Sequence, residues 1–333
     1  MKNFYWILFL FLPPGLLAQN TDSTYADKLG FPKGSRVLIL HVDDAGMSYD
    51  SNIGAEMALT EGISTSVSVM MPCPWVPGFI KFLRMRPDLD AGIHLTLTSE
   101  WDAYRWGPLS GKSQVPGLCD PDGYLWPDVE NVVKHASPNE VDMEIRAQLD
   151  KARKMGLEPS HLDSHMGTLF ASPAFLEKYV QLGIEMQIPL MLPGGHDQLI
   201  QAETHSSNSQ VQQLQMLGRM LWTGGLPVLD DLHNMSYDWP ISSTMAKNDL
   251  ELKKFKTRKY IEAIESLKPG LTMMIMHCTS TTEVFEKISS SGPVRRGDLL
   301  AMLNPELKKA IKDQGIILTT WKEVMKRRKG VRN

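Results

Sequence analysis

Cysteine is scarce. Cys73, Cys119 and Cys278 are the only three in 333 residues. An odd number without paired spacing supports neither a disulfide framework nor a cysteine-based zinc site. A surplus of positive charge is also missing. The formal net charge is −3, so nothing points to a nucleic-acid partner. Fixed-period repeats and low-complexity tracts are absent, which argues against solenoids and biased linkers. Beyond the N-terminus no apolar run is long enough to span a membrane.

The N-terminus, MKNFYWILFLFLPPGLLAQN, carries one lysine, a short apolar run broken by Pro13-Pro14, and Leu-Leu-Ala before Gln19. It reads as a secretory signal peptide over 1–18, cleaved after about Ala18. The expected product is exported, periplasmic or secreted, without membrane attachment. Residues 19–35 then form an N-terminal linker and 36–330 a single domain. The basic end, KEVMKRRKGVRN, reads as a solvated helix terminus.

What the chain has in quantity is alternation. Strand-like runs at 36–42, 65–71, 92–97, 160–164, 188–192, 226–229, 271–276 and 315–319 are separated by helical patterns. Those helical patterns lie at 51–61, 77–85, 138–155, 173–182, 250–267 and 298–313. Gly183 is placed as the stop of the fourth. Such alternation predicts βαβ units and an α/β fold. The expected architecture is a (β/α) barrel, distorted or incomplete, with about seven to eight strands. A doubly wound open sheet is the competing arrangement. Segments 99–137 and 193–225 show no convincing regular element, and loops of that length are commonly functional.

Ionisable residues collect at the ends of these strands. LILHVDDAGMSYD runs an apolar strand into adjacent carboxylates, Asp43 and Asp44. Two like charges there are costly unless a cation or a proton relieves them. His94 lies near the end of GIHLTL, His161 and His165 bracket HLDSH, and His277 follows LTMMIM. Each has a bland alternative. The acid pair could cap a helix, and the histidines could be hydrogen-bonded core residues. Their recurrence at strand ends, which share one face of a parallel barrel, argues instead for a metal or acid/base site. Carboxylate and imidazole suit zinc, iron, manganese or cobalt. His41 is expected on the opposite side of its strand from the acid pair. Asp230, Asp231 and His233 in VLDDLHN are candidates for a groove lining.

With HVDDAGMS, EGISTSVSVM, GIHLTLT, PSHLDSHMG, His277 and the RRGDLLAMLNPELKKAIKDQGIILTTWKEV end in order, the chain resembles the YdjC-like carbohydrate deacetylases. Characterised members remove acetyl groups from N-acetylated chitooligosaccharides. The resemblance implies metal ligands Asp44, His94 and His165, a general base Asp43 and a general acid His277. His161 and Asp163 would orient a ligand imidazole. A His161/His165 pair, with His94 demoted, is the alternative ligand set. The chain departs from the family where Met166 and Gly167 follow His165, at His277-Cys278-Thr279, and in the SEWDAYRWGPLSGK stretch.

The implied cofactor is a divalent metal ion, magnesium or zinc, and the implied partner an acetylated saccharide. Asp43 would take a proton from the attacking water, and protonated His277 would give one to the departing amine. Trp101, Tyr104, Trp106, Tyr124 and Trp126 offer flat faces for sugar rings, or pack their loop. Trp101, Trp106 and Arg295 are the candidate substrate contacts. Two other readings remain: a metal-dependent hydrolase of another ester or phosphoester, and a carbohydrate-binding barrel without turnover.

Overall fold

A computed structural model describes residues 23–331. The expected signal peptide lies outside the described residues. All strand pairs in the sheet are parallel: β1 (Arg36–Ala45), β2 (Ser66–Val69), β3 (Ala91–Leu95), β4 (Leu162–Ser164), β5 (Asp231–His233), β6 (Gly270–Met276) and β7 (Ile317–Leu318). Their order is β4-β3-β2-β1-β6-β5, with β7 against the first residues of β1. The ring closes through single bridges. Leu190 bridges Leu162 of β4, and Pro193 bridges Leu229 ahead of β5. The N–H of Met191 donates to Leu162 O at 2.9 Å, and that of Gly194 to Leu229 O at 3.0 Å. The result is a distorted α/β barrel.

Side chains alternate across a strand. Leu38, Leu40 and Val42 belong to the apolar layer shared with the surrounding helices. Val37 and Ile39 belong to a separate buried cluster with Leu271, Met273, Ile275, Met191, Leu229 and Trp321. This second cluster fills the barrel interior, as layered filling requires. Along the same inward register of β1, His41 and Asp43 come next. The filling therefore turns from apolar to ionisable toward the strand C-termini.

The N-terminal end of the barrel is plugged. A helix at Tyr25–Lys28, with a Thr24/Asp27 capping box, donates the N–H groups of Tyr25 and Ala26 to the Asp230 carboxylate at 2.8 and 3.0 Å. Asp230 also accepts from Leu271 N–H at 2.8 Å. Trp321 opens the last helix, Trp321–Gly330, where Asp90 accepts the Trp321 and Lys322 N–H groups. Burying an indole of this size contributes roughly 2–3 kcal/mol. In the basic end, Arg328 is buried and lies over Trp222, so that helix is not solvated throughout.

Several elements differ from expectation. The single helix at 298–313 is two, Gly292–Met302 and Pro305–Asp313, because Pro305 has no N–H to continue the first. The polar stretch within 193–225 forms helices Gln198–Thr204 and Asn208–Thr223; a Ser207/Gln210 capping box starts the second. The helix from Pro173 passes Gly183 and ends at Met186. Gly183 is there for closeness, since a Cβ would sit 2.5 Å from the Leu190 side chain. The strand at 226–229 begins its ladder only at Asp231. The 99–137 segment is irregular except for a 3-10 turn at Pro116–Leu118 and a helix at Val129–His135.

Gly92 in the GIHL stretch has a comparable reason. A Cβ there would meet His161 backbone oxygen at 2.5 Å and its ring at 2.4 Å. Gly92→Ala is expected to cost about 1–3 kcal/mol in denaturant unfolding, because a paired backbone cannot yield cheaply.

Candidate metal centre and active site

The upper end of β1 breaks the strand rule. Ordinary alternation would send Asp43 and Asp44 to opposite faces. The β1–β2 register instead shifts between Val42 and Ala45, and Asp44 takes φ 67°, in the left-handed region. Non-glycine residues adopt that conformation at a cost of order 1 kcal/mol or more. The distortion turns both carboxylates into one cavity. Gly46, also at positive φ, completes the turn, and its N–H donates to Asn52 Oδ1 at 2.7 Å.

Three strands bring the partners. His94 of β3 places Nε2 3.3 Å from Asp44 Oδ1, and His165, just after β4, places Nδ1 3.4 Å from the same oxygen. One ligand atom from each of Asp44, His94 and His165 lies within 4.8 Å of the others, and all three residues are buried. The outer nitrogens are held by carboxylates. Asp163 Oδ1 is 2.6 Å from His94 Nδ1, and Glu100 oxygens are 3.1 and 3.2 Å from His165 Nε2. These contacts favour opposite tautomers, with N–H on His94 Nδ1 and on His165 Nε2. A free lone pair then points inward from each ring. Neither oxygen of buried Asp44 receives a hydrogen bond of good geometry. This carboxylate, whose strong partner is the Arg295 guanidinium, stands beside two preset imidazoles in a donor set that fits a divalent cation.

His277 follows β6, with Nε2 4.0 Å from Asp43 Oδ2. Its backbone N–H donates to Asp298 Oδ2 at 3.1 Å. Asp298 in turn accepts from Lys256 Nζ, Tyr260 Oη and Ser236 Oγ, all buried. Tyr237 meets the His277 ring edge-on at 4.8 Å, and its hydroxyl accepts from Arg295 Nε at 3.0 Å. Arg295 is itself buried, with Nη1 2.6 Å from Asp44 Oδ2.

Burial disfavours charge throughout this centre, and neighbours decide the outcome. For His41, Asp163 and Asp43 outweigh burial and raise the pKa to about 9. For His165, Glu100 and Asp44 outweigh burial and also raise it to about 9. His94 is pushed well above its ordinary value against burial by Asp43 and Asp163. Asp44 is held well below the usual carboxylate range, because Arg295, His165 and His94 outweigh its burial. His277 is lowered, first by burial and then by Arg295, against the pull of Asp44, Asp43 and Asp298.

The structure thus gathers Asp43, Asp44, His94, His165, Asp163 and His277 at one end of the barrel. His161 lies deeper. Its Nε2 is 3.6 Å from Asp163 Oδ2 and its ring stacks on Trp321 at 5.2 Å. Among the described residues no candidate cluster joins it to His165, so the alternative ligand pair does not form. His41 does not face away: two residues before Asp43, it shares that side of β1 and lies 3.0 Å from Asp43 Oδ1. Trp106 is buried, its Nε1–H donating to Thr98 O at 2.9 Å, so it packs the loop and presents no face to a sugar. Trp101 remains half-buried, edge-on to Trp106. Arg295 does not stand open to substrate; its guanidinium is engaged by Asp44 and Tyr237. Asp230, Asp231 and His233, the candidates for a groove lining, are buried and engaged by other partners. Asp230 pins the plug, Asp231 caps the 198–204 helix, and His233 pairs with Glu203. Glu100, Ser68, Tyr237 and Asp298 join the centre without having been expected there. Of these only Ser68 carries a sequence signal, its inward parity on the TSVSVMM strand.

The family described as YdjC-like protein matches residues 37–313. A carbohydrate deacetylase of Thermus thermophilus is 30% identical over 291 residues, spanning 87% of this chain and 94% of that protein. A carbohydrate deacetylase of Thermoanaerobacter pseudethanolicus is 24% identical over 286 residues, spanning 86% and 98%. Among solved structures, an Enterococcus faecalis V583 protein named for a proposed cleavage of cellobiose phosphate superposes with a TM-score of 0.70. It covers 87% of this chain and 99% of that one at 22% identity, a likeness of fold.

A histidine whose folded pKa exceeds its unfolded value stabilises the protein below the unfolded value, about 6.5, and loses that contribution as pH rises through the folded one. In EDTA, the melting temperature should therefore fall between pH 6.5 and about 9, the window set by His41 and His165. His41→Gln should flatten that fall.

Proposed function

Because the chain belongs to the YdjC-like family, we propose that it is a hydrolase that removes the acetyl group from an N-acetylated saccharide. The observation that carries this reading is the arrangement around Asp44. Its oxygens and the inward nitrogens of His94 and His165 form a donor set, with Asp43 on one side and His277 beyond it. Asp44, His94 and His165 would hold a divalent metal ion, zinc or magnesium. When bound, such an ion lowers the pKa of water and polarises a carbonyl.

The remaining work falls to side chains. Asp43, not used in the donor set, is the general base that takes the proton of the attacking water. His277 is the general acid that protonates the departing amine, which is a poor leaving group without that proton. Arg295 balances the charge of Asp44 and holds it ionised beside Asp43. The rings of Trp101 and exposed Tyr237 lie 5.7 and 5.3 Å from the Arg295 guanidinium carbon and are available to a pyranose ring. A chitooligosaccharide is the substrate class we favour. The leader-like character of residues 1–18 supports an exported site of action.

A phosphoester reading is less supported, because the local guanidinium groups are engaged. Arg295 pairs with Asp44 and Arg296 with Asp249.

Mass spectrometry of acetylated chitooligosaccharides incubated with metal-reconstituted protein should show loss of acetyl groups, with acetate in solution. EDTA should abolish the reaction, and a divalent ion should restore it. Asp43→Asn should lower turnover by about 100-fold or more while metal stays bound. Release of phosphate from an ester panel without acetate would overturn the assignment. Metal competes with protons for the imidazoles, so its affinity should rise from pH 6 toward about 9, as followed by calorimetry.

A further inference from the structure

Beneath the acid pair sits a histidine that the reaction, as derived so far, does not use. His41 is fully buried at the boundary between the apolar filling of the barrel and the ionisable layer above it. Its Nε2 lies 3.0 Å from Asp43 Oδ1 and 2.9 Å from Asp163 Oδ2, and hydrogen-bonds Ser68 Oγ at 3.1 Å. Ser68 donates in turn to Asp43 Oδ1 at 3.3 Å. One edge of a single imidazole thus meets the carboxylate assigned as base and the carboxylate that fixes the tautomer of His94.

We propose that His41 is a positioning residue for the hydrolysis, an imidazolium that clamps Asp43 to Asp163 and keeps the base aimed. The proposal rests on the deacetylase reading of the site.

Charge balance supports it. The centre holds the carboxylates of Asp43, Asp44 and Asp163, with Glu100 at its edge. Arg295 is the guanidinium among them. On the inner side of the acid pair, Asp43 and Asp163 are the carboxylates without a guanidinium partner, and a protonated His41 between them offsets their charge where burial makes an uncompensated charge costly. The groups facing the Nε2 edge of His41 agree, while its buried Nδ1 meets no hydrogen-bond partner among the described residues. Asp43 on its own strand and Asp163 from β4 are anionic, and Ser68 from β2 is neutral. His161 presents its ring edge-on at 4.9 Å and is pushed toward the neutral form, first by burial. From β6, the register partner is apolar Ile275.

The clamp has a chemical consequence. With His41 and Ser68 both on Asp43 Oδ1, the carboxylate is held in one orientation, and its Oδ2 is left free to meet the attacking water. Without the imidazole, the Asp43 carboxylate would be free to rotate.

His41→Gln keeps an N–H donor and removes the charge. On an acetylated chitooligosaccharide, kcat should fall about 10- to 100-fold, the usual effect of removing an orienting partner. KM and bound-metal content should stay at wild-type values. Unchanged kcat overturns the proposal, and so does loss of bound metal, which would make His41 part of the metal's support. Should His41→Gln not fold, imidazole nitrogen NMR of Asp43→Asn provides the second measurement. The His41 titration should move to lower pH than in the wild type; an unmoved titration overturns the clamp. Absence of acetate release by the wild type would sink the deacetylase reading instead.

Discussion

Everything at the functional end of this barrel depends on one backbone distortion. A strand can deliver only every second residue to the interior. At Asp44 the chain takes a left-handed conformation within a register shift, and two consecutive carboxylates reach the same cavity. That crowding of negative charge would be unfavourable on its own. It is relieved by Arg295 from the helix Gly292–Met302, by His41 from below, and by the donor set that Asp44 forms with His94 and His165. The strain of the bulge and the repulsion of the acid pair are local costs, offset by neighbours that come from other strands and from a helix.

The barrel interior explains why those neighbours arrive where they do. Val37 and Ile39 on β1, and Leu271, Met273 and Ile275 on β6, fill the lower layers with hydrocarbon. One step farther along each inward register, the same strands present His41 and His277. Ser66, Ser68 and Gly92 are small, which leaves room for imidazole rings between the strands. The apolar layers fix the strands, and the strands fix the ionisable side chains.

Much of this is legible in the sequence. Strand-end carboxylates and histidines at 43, 44, 94, 165 and 277 stand out because apolar runs end on them, and parallel pairing brings such ends together. The expectation for His41 fails because its parity is set against Asp44, whose direction comes from the bulge rather than from alternation. Glu100 and Tyr237 leave no trace because they sit in irregular segments, where no periodicity predicts direction. Asp298 looks like an ordinary helix residue, and its link to the His277 backbone is purely tertiary. The helices after His196 are hidden by polarity. Their outward faces carry glutamine and serine, and only the capping box betrays a start.

The ring of strands is not equally strong around its circumference. From β4 through β1 to β5 it is tied by continuous ladders, whereas Leu190–Pro193 closes it by one bridge on either side. The residues assigned to chemistry all hang from the laddered arc. The seam therefore gives the molecule a place to breathe, and to accept insertions during divergence, without disturbing the distances among its reactive groups.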